Sequence, residues 1–350
     1  MEKPRVGYTI EKFTISRDDS LYECFPSLAR CNNGRIILTY RESDSHVAKD
    51  FCRLVVRISD DNGKTFSERK ILAESHQKDG VLLKYNCPKV QQLKDGRILL
   101  ICDVFKTPPA DDEKGGAGSD IVFFFSNDYG ETWSAEHKTG VHGIMPDEVI
   151  ELANGDWLLA TQFRRGNTFQ CVSRSIDGGK TWSEPITIAA REGFNFCEAS
   201  ILQLPTGELV CYMRENSGKG LPIYKSISND GGKTWEGPFE TLMMAGHRPV
   251  AHLTKSGKVM ITYRHQPGGA GAWAKNTFAY LESVESALET DRSKQFGVIL
   301  PLDHDRSPKS DGGYTGWVEI EQGCFFAVNY IVDDAPKAQI RGYRFREEDF

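Results

Sequence analysis

The chain alternates short apolar runs with polar turns and carries almost no long stretch of helical period. Six segments share one pattern: an apolar strand, a turn with glycine at a fixed place, and a second apolar strand. They span 25–41, 87–103, 146–162, 198–214, 248–264 and 314–330, with Gly34, Gly96, Gly155, Gly207, Gly257 and Gly323 in the turns. Each reads as a β-hairpin whose turn requires positive φ. The glycines recur about every 50–65 residues, close to the period of propeller repeats. In the hairpin 198–214 a two-residue loop would force the β-branched Thr206 to positive φ. A three-residue loop, with Pro205 in a type I turn and Gly207 left-handed, fits better. Centred on Thr206, the hairpin sets Glu198 opposite Arg214 on one face of the sheet.

A second repeat, Ser-x-Asp-x-Gly-x-Thr-(Trp/Phe), lies between these hairpins at 59–66, 126–133, 175–182 and 228–235. Asp and Gly favour a tight turn, the hydroxyls bond backbone groups, and the aromatic ring anchors the turn. The fifth unit lacks this motif; 266–275 reads as a longer loop there, and only 281–290 suggests a helix. Six hairpins predict an all-β, six-bladed β-propeller of about four strands per blade. It is expected to occupy 1–350 as a single domain, with 7–15 and 339–346 closing the ring.

Composition narrows the function classes. A formal net charge of -6 over 350 residues argues against nucleic acid as the main partner. Nine cysteines, an odd number without a CxxC pair, read as mostly buried thiols in a reducing compartment. No apolar run is long enough to span a membrane, and the first residues lack a signal-peptide core, so a cytoplasmic protein is expected unless a leader was trimmed. There is no dinucleotide or P-loop glycine pattern and no metal-ligand spacing, so neither cofactor nor metal is expected. Oligomeric state is left open.

The inner strands of a propeller face its axis. The near-axial positions are then Phe25, Cys87, Pro146, Glu198, Arg248 and Tyr314, with hairpin partners Arg41, Asp103, Gln162, Arg214, Arg264 and Tyr330. Arg248 opposite Arg264 is unfavourable unless an anion lies between them. Guanidinium groups suit a carboxylate. Alternatively Arg264 turns outward or pairs with a loop carboxylate. His46, His142, His247 and His265 flank hairpin ends, which admits histidine chemistry at the same place.

The Ser-x-Asp-x-Gly-x-Thr repeats resemble those of the Asp-box (bacterial neuraminidase repeat) proteins, the sialidase superfamily, over nearly the whole chain. The resemblance implies a propeller whose boxes lie on outer turns. It implies Tyr314 as nucleophile, Glu198 as its base, and an acid on the loop after the first hairpin: Asp50, with Asp44 as rival. It further implies Arg214 as a carboxylate-binding residue and Glu42 as a carboxylate that steadies the arginine cluster. Arg41, Arg248 and Arg264 would supply further charge, with Asp103 and Gln162 beside them.

Two departures keep other readings open. Sialidases usually begin blade one with Phe-Arg-Ile-Pro, whereas this chain has Glu23-Cys24-Phe25-Pro26, and no arginine stands near Lys275. The first reading is an exo-glycosidase cleaving a terminal, sialic acid-like sugar from a carbohydrate substrate. The second is a propeller glycosidase or lyase acting on another acidic or furanose glycan. The third is a non-catalytic propeller that binds a glycan or a protein.

Overall fold

The computed structural model describes residues 10–107, 119–268 and 274–350. Its strands form six antiparallel sheets arranged as the blades of a β-propeller. From the axis outward, blade one comprises Tyr22–Arg30, Ile36–Ser43, Cys52–Ser59 and Lys70–Glu74. Blade four comprises Phe196–Gln203, Leu209–Glu215, Tyr224–Ser228 and Glu236–Glu240. The innermost strands of blades two, three, five and six are Lys89–Gln92, Ile150–Glu151, Gly246–Leu253 and Gly312–Glu321. Blade six is completed by Cys324–Ile331, Gln339–Arg346 and, from the other end of the chain, Glu11–Ser16. The expected closure by both ends of the chain is therefore present, with Thr14 opposite Arg341.

All six hairpin glycines sit at positive φ, from 68° at Gly323 to 109° at Gly207. In the blade-four turn Gly207 N donates to Leu204 O, and Leu204 N to Glu208 O, as a three-residue loop requires. The buried apolar residues form six clusters, each centred on the interface of two adjacent blades, with Cys87 of blade two also joining the cluster between blades six and one. The core is thus a ring of blade interfaces. Gly316 marks the closing interface: a Cβ there would lie 2.8 Å from the backbone of Leu28.

The four repeated turns lie on the outer connections, between the third and fourth strands of blades one to four. In each, the Ser hydroxyl accepts from the Gly amide, and the Asp carboxylate accepts from the Thr amide and hydroxyl. The aromatic residue then packs into the interface with the preceding blade: Phe66, Trp133, Trp182 and Trp235. Blade five fills the same place differently. Its outer connection carries the short helix Val284–Leu288, capped by Ser283, and Val284 and Leu288 enter the interface with blade four. The expected longer loop at 266–275 instead joins the second and third strands of blade five; 269–273 lie outside the described residues.

One element was not expected. A hairpin, His76–Lys78 and Val81–Tyr85, precedes blade two and extends its sheet, with Tyr85 paired to Val104. It raises a wall over one side of the channel. Among the described residues no helix is long and apolar enough to cross a membrane. No disulfide joins the nine cysteines, and eight of them are buried.

Candidate active site

The register of the innermost hairpins changes just before the channel mouth. Near its turn the blade-four hairpin pairs as the sequence predicts, with Ser200 opposite Tyr212. A bulge then intervenes, so that Cys197, not Glu198, stands opposite Arg214. The same correction applies to blade five, where His247 rather than Arg248 faces Arg264, and to blade one, where Cys24 rather than Phe25 faces Arg41. The bulged residues adopt positive φ: 58° at Phe25, 50° at Glu198 and 48° at Arg248. Blade six is also bulged, at Gly313 and Tyr314, with φ 87° at Gly313. Such conformations cost a non-glycine residue roughly 1–3 kcal/mol each and cluster where a side chain must be re-aimed. Pro26 and Pro249 follow two of these residues, and a bulge is where a sheet tolerates proline.

The bulges converge on Tyr314. Its hydroxyl donates to Glu198 Oε1 at 2.5 Å. Arg214 Nη1 donates to both Glu198 oxygens at 2.9 Å and to the Tyr314 hydroxyl at 3.2 Å. Arg264 places its guanidinium 4.3 Å from the centre of the Tyr314 ring, and Arg248 lies at 5.9 Å. Phe25 packs against the ring at 5.3 Å. Burial alone would raise the Glu198 pKa, but Arg214, the Tyr314 hydroxyl and Arg248 overcome it and bring the value down to about 2. Burial, reinforced by the neighbouring Glu198 carboxylate, pushes the Tyr314 phenol well above its ordinary value. The pair therefore rests as a carboxylate that accepts a short hydrogen bond from a neutral phenol.

Arg248 and Arg264 do not face each other. Arg248 donates to Pro146 O at 3.2 Å, while Arg264 donates to Gly312 O and to the Tyr330 hydroxyl at 2.9 Å. Arg264 also has Asp311 at 3.7 Å, so it neither turns outward nor stands alone. Arg41 donates to Asn86 at 2.7 Å and lies 4.6 Å over the Phe25 ring. Within this cluster three buried guanidinium nitrogens have no hydrogen-bond partner among the described residues: Arg41 Nε, Arg214 Nε and Arg248 Nη1.

Above this cluster opens a cavity of about 630 Å³, lined among others by Phe25, Arg41, His46, Asn86, Gln162 and Glu198. Gln162 accepts from the Glu198 amide and so holds the bulge. Asp103 stands one step behind the wall. It accepts from Asn86, Cys87 N and Met145 N at 3.0–3.2 Å and orients the Asn86 that holds Arg41. Two expected residues are not brought into the cluster. Glu42 is buried beside Arg53 and Arg69, at 2.7 and 3.0 Å, because successive residues of a strand face opposite ways and Arg41 takes the channel side. Asp50 is exposed on its loop and does not line the cavity, and Asp44 is occupied in bonding Ser45 and the Asp50 amide. His46, from that same loop, does line the cavity.

The other histidines divide as follows. His142 pairs with Asp120 at 3.2 Å on an outer strand. His265 stacks on Phe278 at 4.5 Å. His247 is held neutral: burial, Arg214 and Arg264 bring its pKa down to about 2. Residues not anticipated are Asp311, which gathers Tyr22, His46 and Lys275, together with Asn86 and the hairpin carrying Lys84 and Tyr85.

The chain is 23% identical over 291 residues to a sialidase of Micromonospora viridifaciens, which covers 72% of this chain and 42% of that protein. It thus spans less than half the length of that curated relative. Among solved structures, a Dyadobacter fermentans protein of unknown function superposes with a TM-score of 0.73 at 22% identity, over 96% of this chain and 99% of that one. The leech intramolecular trans-sialidase superposes at 0.69 with 15% identity, over 95% and 69%. An α-L-arabinanase of Penicillium chrysogenum superposes at 0.64 with 16% identity, over 97% and 98%. These likenesses establish the fold. The model of the BNR repeat-like domain matches residues 84–306, well over half of the sequence, and the chain belongs to that sialidase-like family of repeat proteins.

Proposed function

We propose that the protein is an exo-acting glycoside hydrolase that cleaves a terminal acidic sugar, with Tyr314 as nucleophile and Glu198 as its base. The observation that carries this is the 2.5 Å hydrogen bond from the Tyr314 hydroxyl to Glu198, with Arg214 on both. A phenol has a reference pKa near ~10 and is a weak nucleophile unless a base takes its proton. The proton need not leave first. As Tyr314 Oη bonds to the anomeric carbon it becomes strongly acidic, and Glu198 lies on the line along which the proton departs. A neutral phenol also approaches an anionic sugar without the repulsion a carboxylate nucleophile would meet.

The arginines suit the sugar acid. Arg214 and Arg248 each keep an unpartnered buried N–H, and Arg264 stands beside them over the Tyr314 ring. An anion held there would draw on Arg214, loosen its hold on Glu198 and so raise the basicity of that carboxylate when substrate is bound. Arg41 and Gln162, in the cavity wall, are proposed to meet the remainder of the sugar, with Asp103 supporting Asn86 and Arg41 from behind.

A second substrate class has its own support. Arg264 already bonds Gly312 and Tyr330, and blade one carries Cys24 where the sialidase pattern carries an arginine. This grip differs from a three-arginine clamp and favours, as the alternative, another acidic or a furanose sugar. The test is turnover of 4-methylumbelliferyl glycosides of N-acetylneuraminic acid, glucuronic acid and L-arabinofuranose. Hydrolysis of the first supports the sialidase-type reading, and hydrolysis of another reassigns the sugar. No turnover, with tight binding of an acidic glycan, would make the protein a binding module.

A further inference from the structure

The Tyr314–Glu198 pair supplies a nucleophile and a base, but the leaving oxygen also needs a proton, and neither group holds one to spare. The loop 44–51 offers three candidates: Asp44, His46 and Asp50. Asp44 is committed to Ser45 and to the Asp50 amide, and Asp50 is exposed and does not line the cavity. His46 differs on each count. It lines the cavity that contains Glu198, and its ring packs edge-on against Phe25 at 5.5 Å. Phe25 in turn lies 5.3 Å from Tyr314, so His46 is separated from the nucleophile by one ring. A sugar seated over the Phe25 ring would have Tyr314 on one side and His46 on the other, as a nucleophile and a donor require.

Asp311 completes the arrangement. His46 Nδ1 lies 2.7 Å from Asp311 Oδ2. The carboxylate also accepts from the Tyr22 and Tyr330 hydroxyls and from Lys275 Nζ. Burial would protonate Asp311, but His46, Arg264 and Lys275 hold its carboxyl far below the usual range, so it stays ionised. An ionised carboxylate on Nδ1 fixes the ring orientation and keeps a proton on that nitrogen. The other nitrogen, Nε2, has no partner among the described residues, on a side chain that is half-exposed to the cavity. The backbone is pinned as well: Arg41 donates to His46 O, and Lys84 Nζ to Ala48 O at 3.0 Å.

We propose that His46, positioned by Asp311, is the general acid that protonates the leaving oxygen. The assignment rests on the glycosidase function proposed above. In the first step Tyr314 Oη bonds to the anomeric carbon as its proton passes to Glu198. The glycosidic C–O bond breaks, and its oxygen takes the Nε2 proton and leaves as an alcohol. In the second step neutral His46 takes a proton from water, the water oxygen bonds to the anomeric carbon as the Tyr314 Oη–carbon bond breaks, and the departing Tyr314 oxygen recovers its proton from Glu198.

The test compares leaving groups in a His46→Gln variant. An aryl glycoside with an acidic phenol as leaving group needs little proton donation, whereas an alkyl glycoside needs it fully. The probes are the 4-methylumbelliferyl glycoside that the parent cleaves best and the methyl glycoside of the same sugar. Because kcat/KM reports only the steps up to release of the alcohol, whereas the water step also uses His46, the expected result is a fall in kcat/KM of about 100-fold or more on the methyl glycoside, with less than about fivefold on the aryl glycoside. The retained aryl activity also shows that the variant is folded. Equal losses on both probes would make His46 a binding residue and overturn the assignment. An Asp50→Asn variant showing the split that His46→Gln lacks would overturn it in favour of Asp50. The parent's own turnover separates the two claims: a parent inactive on all three aryl glycosides removes the glycosidase reading and the acid with it, whereas an active parent whose His46→Gln variant shows no split removes the acid alone.

Discussion

The inner and outer rims of this propeller are built on opposite principles. The outer turns are four near-copies of one hydrogen-bonded unit, in which the Ser, Asp and Thr groups of each turn meet and the aromatic side chain plugs a blade interface. The inner hairpin ends differ from blade to blade and hold Phe25, Glu198 and Arg248 at positive φ in bulges within a sheet, whereas outer turns admit it only at turn positions such as Asn62 and Tyr129. They bury Arg41, Arg248 and Arg264 near the axis, with Arg214 mostly covered beside them, and leave guanidinium nitrogens unpartnered. Repetition at the outer rim serves the ring as a whole. Strain and unspent polar capacity at the inner rim are not required by the packing of the blades, and the function proposed above uses them to hold a ligand.

The comparison breaks most visibly at Glu198. Glu198→Gln keeps the size and a hydrogen-bond partner for Tyr314 but removes the base. Turnover should fall by about three orders of magnitude, measured as kcat on the best aryl glycoside. Loss below tenfold would mean that the inner rim is strained for some other reason. Next in size, Arg214→Ala should weaken binding of an acidic ligand by about 1.5–3 kcal/mol, the range for a hydrogen bond to a charged group. Titration calorimetry checks this, and unchanged affinity would remove Arg214 from the anion site.

An outer-rim change should do the reverse. Trp133 is half-buried in the interface between blades one and two and bonds Gly130 O through its indole N–H. Trp133→Ala should cost about 3 kcal/mol of stability and leave kcat unaltered at a temperature where the variant stays folded. Denaturant unfolding and a parallel assay decide it; lost activity at constant stability would put this turn in the functional region.

The smallest effect is in acid. The Glu198 pKa lies near 2 in the folded protein, below the ordinary glutamate value of 4.5. A depressed carboxylate contributes stability that is complete above the unfolded pKa and is lost as pH falls through the folded one. Stability should therefore decline between about pH 4.5 and 2, and Glu198→Gln should flatten part of that decline. The outer aspartates Asp61, Asp128, Asp177 and Asp230 are also lowered to about 2, by hydrogen bonds within their turns, but they lie at the surface, Asp177 and Asp230 exposed and Asp61 and Asp128 partly so. Solvent screens them, so an Asp128→Asn variant should flatten the decline less than Glu198→Gln does.

Much of this contrast was legible in the chain. Glycine in the turns and the Ser-x-Asp-x-Gly-x-Thr units gave away the blades because both are local demands on backbone conformation. The pairing of Glu198 with Arg214 was also readable, although for a reason only partly right. The counted register holds to Ser200 and Tyr212 and then slips at a bulge, which nonetheless returns the Glu198 side chain to Arg214. The prolines after Phe25 and Arg248 were a signal for such bulges. Strand alternation likewise sends Glu42 away from the face that Arg41 takes. What could not be read were long-range meetings: Asp311 with His46, and the hairpin Val81–Tyr85 with the channel mouth. These depend on how loops of different blades fold over one another, which no local pattern encodes.

The central claim is that Tyr314 forms the covalent intermediate, and mass spectrometry of a trapped enzyme tests it most directly. A fluorinated inactivator built on the sugar that the parent cleaves should add one sugar mass to the peptide carrying Tyr314. The same treatment of Tyr314→Phe, whose stability should match the parent, should add none, and its turnover should fall by orders of magnitude. A label on another residue, or a Tyr314→Phe variant that hydrolyses the sugar at close to the parental rate, would contradict the account and move the nucleophile elsewhere in the cavity.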